Sequence, residues 1–388
     1  MNKKFKRNLL SFAFLVGLLA FYYFENGSLD SKVTIETAVP TVKSATTSVE
    51  NPQTDLYFAA YFTNPPLDKS IAGIETNLIQ LIDDAKVSVH AAIYELDLQN
   101  VTDALISAKK RGVDVGIVYD NETLGDNKLR HSIIKQLTDA GIKTVPDERS
   151  ALMHNKFFVI DGETVWTGSF NITISAAHNN YENAVVVNVP EIAMNYEKEF
   201  AEMFYNNSFG PKSNSDTPYP QISIGGLEVF TYFAPEDKVM EKLIAEVKKA
   251  KYTIDFLSFS FTDNNLAYSM SELALEDDIR IRGVFDASQD MDDSVCPYLI
   301  ARDKNIEGNG DISIKIDGIS GKLHEKVIVI DGETVIFGSF NFSGNADKSN
   351  DENTLVVHNP AFAKLFQANF QKVFDQGVIP NDSCKKNK

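Results

Sequence analysis

Cysteine is nearly absent from this sequence: two in 388 residues, Cys296 and Cys384. No Cys-x-x-Cys or Cys/His spacing points to a zinc site; no metal and no other cofactor is expected. A disulfide-stapled mini-domain is excluded, and a chain of this length buries full cores without staples. Two readings of the pair stay open: free thiols, or one disulfide tying the tail to the second half in an oxidising compartment. Basic residues are also scarce, with 37 Lys plus Arg against 54 Asp plus Glu and a formal charge of −17. This does not suit a protein that grips long duplex by neutralising phosphates. A few lysines inside a cleft would still be invisible in the total. Long apolar runs are missing too, apart from Leu9 to Phe24. That run follows Lys3, Lys4, Lys6 and Arg7, is short for a spanning helix, and fits a signal peptide or N-terminal anchor over residues 1–24. Either way the body would be exported: periplasmic, extracellular or anchored on the outer side, with membrane association through the N-terminus.

What is present is a repeated polar sentence. His154 to Thr173 reads HNKFFVIDGETVWTGSFNIT, and His324 to Ser343 reads HEKVIVIDGETVIFGSFNFS. Thirteen of the twenty positions are identical without a gap. The register continues, placing Asn180, Glu182 and Asn183 on Asn350, Glu352 and Asn353. Apolar positions recur whenever two domains share a fold. A recurring set of reactive side chains implies that both copies feed one chemical site.

The surrounding elements repeat as well. In the first half, strand patterns run over Leu56 to Phe62, Val87 to Tyr94 and Val113 to Asp120, with helices between them. In the second half they run over Leu227 to Phe233, Tyr252 to Phe259 and Ile279 to Asp286. Asp120 matches Asp286 at an offset of 166. Apolar runs alternating with helical stretches indicate α/β sheets with helices on both faces. The expected organisation is a tether over 25–55, a first α/β domain over 56–210, a Pro/Ser-rich linker over 211–222, a second domain over 223–380 and a frayed tail over 381–388. The economical assembly is a monomer with internal pseudo-two-fold symmetry.

On a strand, residues two apart face the same side, so His154 points with Lys156 and His324 with Lys326. Lysines and the amides of Asn171 and Asn341 can hold a phosphate without a metal. One imidazole can attack phosphorus while the other protonates the leaving oxygen. Glu182 and Glu352 can fix the imidazole tautomers. Ser169 and Ser339 are candidate substrate contacts. Asp161 and Asp331 lie four residues of strand beyond the His-x-Lys pairs, on the order of 13 to 17 Å, and read as organisers. His90 reads as a core histidine, His131 and His358 as surface, and His178 with its counterpart Lys348 as candidates for the cleft mouth. Tyr94 and Phe259 are candidate substrate walls.

The motif H-x-K-x4-D followed by G-S-x-N, present twice, resembles the phospholipase D superfamily. It is carried by His154, Lys156, Asp161, Gly168, Ser169 and Asn171, and by His324, Lys326, Asp331, Gly338, Ser339 and Asn341. The resemblance spans roughly 56 to 375, and the first motif with its downstream Asn180-x-Glu182-Asn183 looks like the compact bacterial nuclease-like branch. It implies two α-β-α sandwich domains forming a pseudo-dimer. It also implies a metal-independent phosphodiesterase that works through a covalent phosphohistidine, with His154 as nucleophile and His324 as acid/base. A phospholipid or other small phosphodiester is the first expectation for substrate. Extracytoplasmic nuclease action is the second, and a non-catalytic phosphate-binding module the third.

Overall fold

The computed structural model describes residues 54–65, 73–289, 293–303 and 310–385. The apolar N-terminal run and the tether up to residue 53 lie outside the described residues. Among the described residues, no helix is long and apolar enough to cross a membrane.

Two mixed sheets carry the molecule. The first contains β1 (Phe58–Phe62), β2 (Ser88–Ile93), β3 (Asp114–Tyr119), β4 (Lys143–Pro146), β5 (Lys156–Ile160), β6 (Thr164–Gly168) and β7 (Asn183–Val187), in the order β1-β7-β6-β5-β2-β3-β4. The second adds a hairpin strand, β8 (Gln221–Ile224), to β9 (Leu227–Ala234), β10 (Thr253–Ser258), β11 (Arg280–Phe285), β12 (Asp311–Ile316), β13 (Lys326–Ile330), β14 (Thr334–Gly338) and β15 (Glu352–His358). Its order, β12-β11-β10-β13-β14-β15-β9-β8, is that of the first sheet with each strand replaced by its counterpart. The expected strand from Leu56 instead opens as a helical turn, Thr54–Tyr57. Phe58 pairs with Val187, the last residue of β7, and beyond it only the Tyr57 carbonyl is bonded across, accepting the Asn188 N–H at 2.8 Å.

The central strands show why an apolar run without alternation becomes a doubly buried strand. In β5, Phe157 and Val159 enter one core while Phe158 and Ile160 enter another. In β13, Val327 and Val329 enter that same first core, and Ile328 and Ile330 a third. The shared core is filled by α1 (Pro190–Asn206) and α2 (Pro360–Gln376). Each has proline at the start of the helix, where the missing N–H costs nothing. Tyr196, Phe200 and Met203 line the buried face of α1; Phe362, Phe366 and Phe370 line that of α2. Rings from the two halves meet edge to face, Phe58 with Phe362 at 5.2 Å and Tyr196 with Phe233 at 5.2 Å. Each such buried ring stabilises by roughly 1.5–3 kcal/mol, so the halves are joined by a core rather than by a surface contact.

The segment between the halves is held down. Asn195 exchanges two hydrogen bonds of 2.8 Å with the backbone of Tyr219, and the N–H of Asn214 donates to Glu202. The tail departs from the frayed expectation as far as Lys385. Cys384 forms a disulfide with Cys296, Cα to Cα 5.9 Å, and both residues are fully buried.

Candidate active site

His154 and His324 stand just ahead of β5 and β13, and each is placed by the opposite half. The N–H of His154 donates to the carbonyl of Asp351 at 2.9 Å, and that of His324 to Tyr181 at 3.0 Å. The residue after each acceptor is a motif glutamate, so the backbone contact delivers the carboxylate across the pseudo-two-fold. His154 Nδ1 lies 2.7 Å from Glu352 Oε2, and His324 Nδ1 lies 3.0 Å from Glu182 Oε2. Sequence spacing could not show that the glutamate pairs are exchanged.

Ser169 and Ser339 do not act as the sequence reading assigns them. Both are fully buried. Ser169 Oγ donates to Glu182 at 2.6 Å, and Ser339 Oγ to Glu352 at 2.7 Å. Each oxygen then accepts the N–H of Asn183 or Asn353 at 3.0 Å. Their hydroxyls are taken up holding the glutamates that hold the histidines. Asn180 and Asn350 donate to the second oxygen of Glu182 and Glu352, each at 3.2 Å.

The glycine before each serine is required. Gly168 has φ +155° and Gly338 +152°, and a Cβ would fall 2.4 Å from the carbonyl of Asn183 or 2.2 Å from that of Asn353. Asp161 and Asp331 lie away from the histidines and accept backbone N–H groups at the starts of β2 and β10. Asp161 receives those of Lys86, Val87 and Ser88; Asp331 receives those of Lys251, Tyr252 and Thr253.

Lys156 and Lys326 are buried, and each Nζ donates to the carbonyl of the histidine two residues before it. Tyr94 and Phe259 close over these groups. Their rings meet His154 and His324 at 4.7 and 4.8 Å, with the ammonium groups 4.8 and 5.0 Å away. Burial pushes the Lys156 ammonium down to about 8 and that of Lys326 to about 7. Burial and nearby lysine charge lower His154 to about 4, against the pull of Glu352, and lower His324 well below its usual value. Both lysines act on both imidazoles, as expected of one shared site.

The two carboxylates differ. Burial raises Glu182 to about 8, and the nearby Glu325 charge adds to this. For Glu352, burial raises as well, but His154, Lys156 and Ser339 together outweigh it and the net direction is down. The pull of His154 on Glu352 has no comparable counterpart from His324 on Glu182, and Glu325, which stands where the first copy has Asn155, adds a smaller push on Glu182.

Asn171 and Asn341 also differ. Asn171 Nδ2 donates to Glu95 at 3.0 Å, whereas the Asn341 amide has no partner among the described residues. Sequence reasoning passed over Asp120 and Asp286, although their constant offset was the signal. They accept the N–H of Met153 at 3.1 Å and of Leu323 at 2.7 Å, fixing the residue before each histidine. Of the other histidines, His90 is held by Glu197, His358 by Glu228 and Glu246, and His131 by the Gly125 carbonyl.

The family described as "Cardiolipin synthase, PLD-like domain" matches twice, over residues 78–204 and 243–374, together more than half of the chain. The chain belongs to the phospholipase D superfamily. As a phospholipase D-like protein it is a phosphodiesterase, built from two tandem copies of the domain. A phospholipase D from Rickettsia prowazekii is 28% identical over 219 residues, covering 55% of this chain and 97% of the relative. A mitochondrial cardiolipin hydrolase from Xenopus laevis is 31% identical over 139 residues, covering 36% of this chain and 64% of the relative. Phosphatidylserine synthase from Haemophilus influenzae shares the fold, with a TM-score of 0.63 and 14% identity over 85% of this chain and 89% of that one.

Proposed function

We propose that this phospholipase D-like enzyme cleaves a phospholipid at its headgroup phosphodiester, through a phosphohistidine on His154. The observation that carries the reading is the pair of exchanged His–Glu contacts beside two buried lysines. The Glu352 carboxylate can only accept, so it holds the proton of His154 on Nδ1 and leaves the Nε2 lone pair free to attack. His154 at about 4 is neutral at pH 7. The second pair holds one proton more, because Glu182 at about 8 stays protonated. That proton, shared between Glu182 and His324, is available to the leaving oxygen.

In the first step, Nε2 of His154 bonds to phosphorus, the bond from phosphorus to the headgroup oxygen breaks, and the alcohol leaves with the proton from the His324 side. In the second, His324 takes a proton from water, the water oxygen bonds to phosphorus, and the phosphorus–nitrogen bond breaks. Lys156, Lys326 and the Asn341 amide stabilise the charge on the non-bridging oxygens. The names of the Rickettsia and Xenopus relatives support a lipid diester. The buried disulfide and the charged-then-apolar N-terminus support an exported body.

Protein from residue 50 onward, kept in EDTA, is incubated with phosphatidylcholine, phosphatidylethanolamine and single-stranded DNA. Headgroup release without nicking is expected. Nicking without headgroup release would give the nuclease reading instead, and binding without turnover the non-catalytic one. A phosphoryl group trapped on His324 would reverse the two histidine roles.

A further inference from the structure

The two halves of the site are near-copies, but the space beside the catalytic group differs between them. A cavity of about 150 Å³ opens beside the His324 half, lined by Phe259, Ser260, Phe261, Thr262, Phe285, Asp286, Gln289, Asp293 and Ser294. It shares Phe259 with the catalytic group, since that ring packs on His324. In the first half the equivalent space is plugged. Glu95 and Asp97 occupy the positions of Ser260 and Thr262 at the offset of 165 that relates Tyr94 to Phe259. Between them sits Arg130, mostly buried, with Nη1 donating to Glu95 at 2.8 Å and to the Thr123 carbonyl at 2.9 Å, and Nη2 to Asp97 at 3.3 Å. The second half lacks every part of this plug. Two hydroxyl residues replace the acids, and the offset of 166 carries Arg130 onto Cys296, whose sulfur is bonded to Cys384.

The plug also reaches the chemistry. Glu95 holds Asn171, while Asn341 is left unpartnered because Ser260 is too short to replace Glu95. The open half therefore has both the room and the free amide. The pocket's lining residues include two carboxylates, Asp286 and Asp293, and no lysine or arginine; the nearby cation is Lys322, 5.2 Å over the Phe259 ring, its charge acting on Asp286. Asp286 is buried and engaged with Ser288 and Leu323, whereas Asp293 is exposed and has no partner among the described residues.

We propose that this pocket receives the alcohol portion of the substrate on the His324 side, and that Ser260, Thr262 and Asp293 make it selective for a small alcohol bearing an ammonium group. This rests on the phosphodiesterase reading above and adds to it which half binds the headgroup and with what chemistry. Hydroxyls and a carboxylate complement an ammonium alcohol, while an anionic or bulky headgroup meets repulsion or lack of room.

The test compares kcat/KM for phosphatidylethanolamine and phosphatidylglycerol in mixed micelles, with wild type, Asp293→Asn and Ser260→Phe. Wild type is expected to favour the ethanolamine lipid. Asp293→Asn, at an exposed position that leaves the core untouched, should lower that preference about threefold, the scale of a solvent-screened charge. Ser260→Phe, which fills the pocket, should bring the preference towards one by losing at least about tenfold on the ethanolamine lipid. The proposal is overturned if the preference is equal in all three proteins, or if wild type favours the glycerol lipid. If Ser260→Phe fails to fold, Asp293→Asn alone decides. Wild type that cleaves no phosphodiester would bring down the parent reading, a result distinct from cleavage without discrimination.

Discussion

At the scale of the residue, the chemistry depends on which glutamate serves which histidine. Glu352→Gln removes the acceptor that fixes the His154 tautomer, and kcat should fall about 100-fold or more. Glu182→Gln acts through His324 instead, so a diester with a good leaving group such as p-nitrophenolate should be largely spared relative to its effect on a lipid. Equal losses on both substrates in the Glu182 variant would contradict the division of roles. The pH profile follows from the same groups. Rising pH takes the charge from Lys326 near 7 and from Lys156 near 8, and removes the Glu182 proton near 8. All three losses weaken phosphate binding or acid catalysis, so kcat/KM should decline above about pH 7–8. On the acid side it should decline only towards pH 4, where His154 becomes protonated. A profile flat to pH 9.5 would show that the buried lysines keep their charge in the free enzyme.

At the scale of the element, the loops after β6 and β14 tolerate little. Gly168→Ala drives a methyl group into the Asn183 carbonyl and shifts Ser169, which steadies Glu182. A loss of about 2–4 kcal/mol is expected in denaturant titration, with reduced activity in whatever protein remains folded. A variant of wild-type stability would mean that the β6–β7 contact can open freely. The disulfide closes a loop with a sequence separation of 88. Cys384→Ser should therefore cost about 2–4 kcal/mol, read as a lower urea midpoint. Reductant should lower the wild-type midpoint and leave the variant's where it is.

At the scale of the molecule, Phe58, Tyr196, Phe200, Phe233, Phe362 and Phe366 belong to one core shared by both halves. Calorimetry on residues 50–388 should show a single cooperative transition rather than one per half. Two separated transitions would mean that the central core contributes little to holding the halves together. The same packing accounts for the catalytic geometry, because the contacts of His154 with Asp351 and of His324 with Tyr181 cross the pseudo-two-fold.

The amino-acid sequence determined the duplicated α/β plan, the motif strands and the reactive residues. Those depend on local period and on side-chain identity, and both are written twice at a constant offset. Phe157 to Ile160 reads as a doubly buried strand whatever surrounds it. Only the tertiary structure decided that the glutamates are exchanged between halves and that Ser169 and Ser339 face them rather than the substrate. It also decided that Cys296 and Cys384 bond, and that Arg130 plugs one half while the other stays open. Each of these is a contact between residues on different elements, and the His–Glu exchange is set by how two sheets close on a common core, so no spacing along a single strand encodes it.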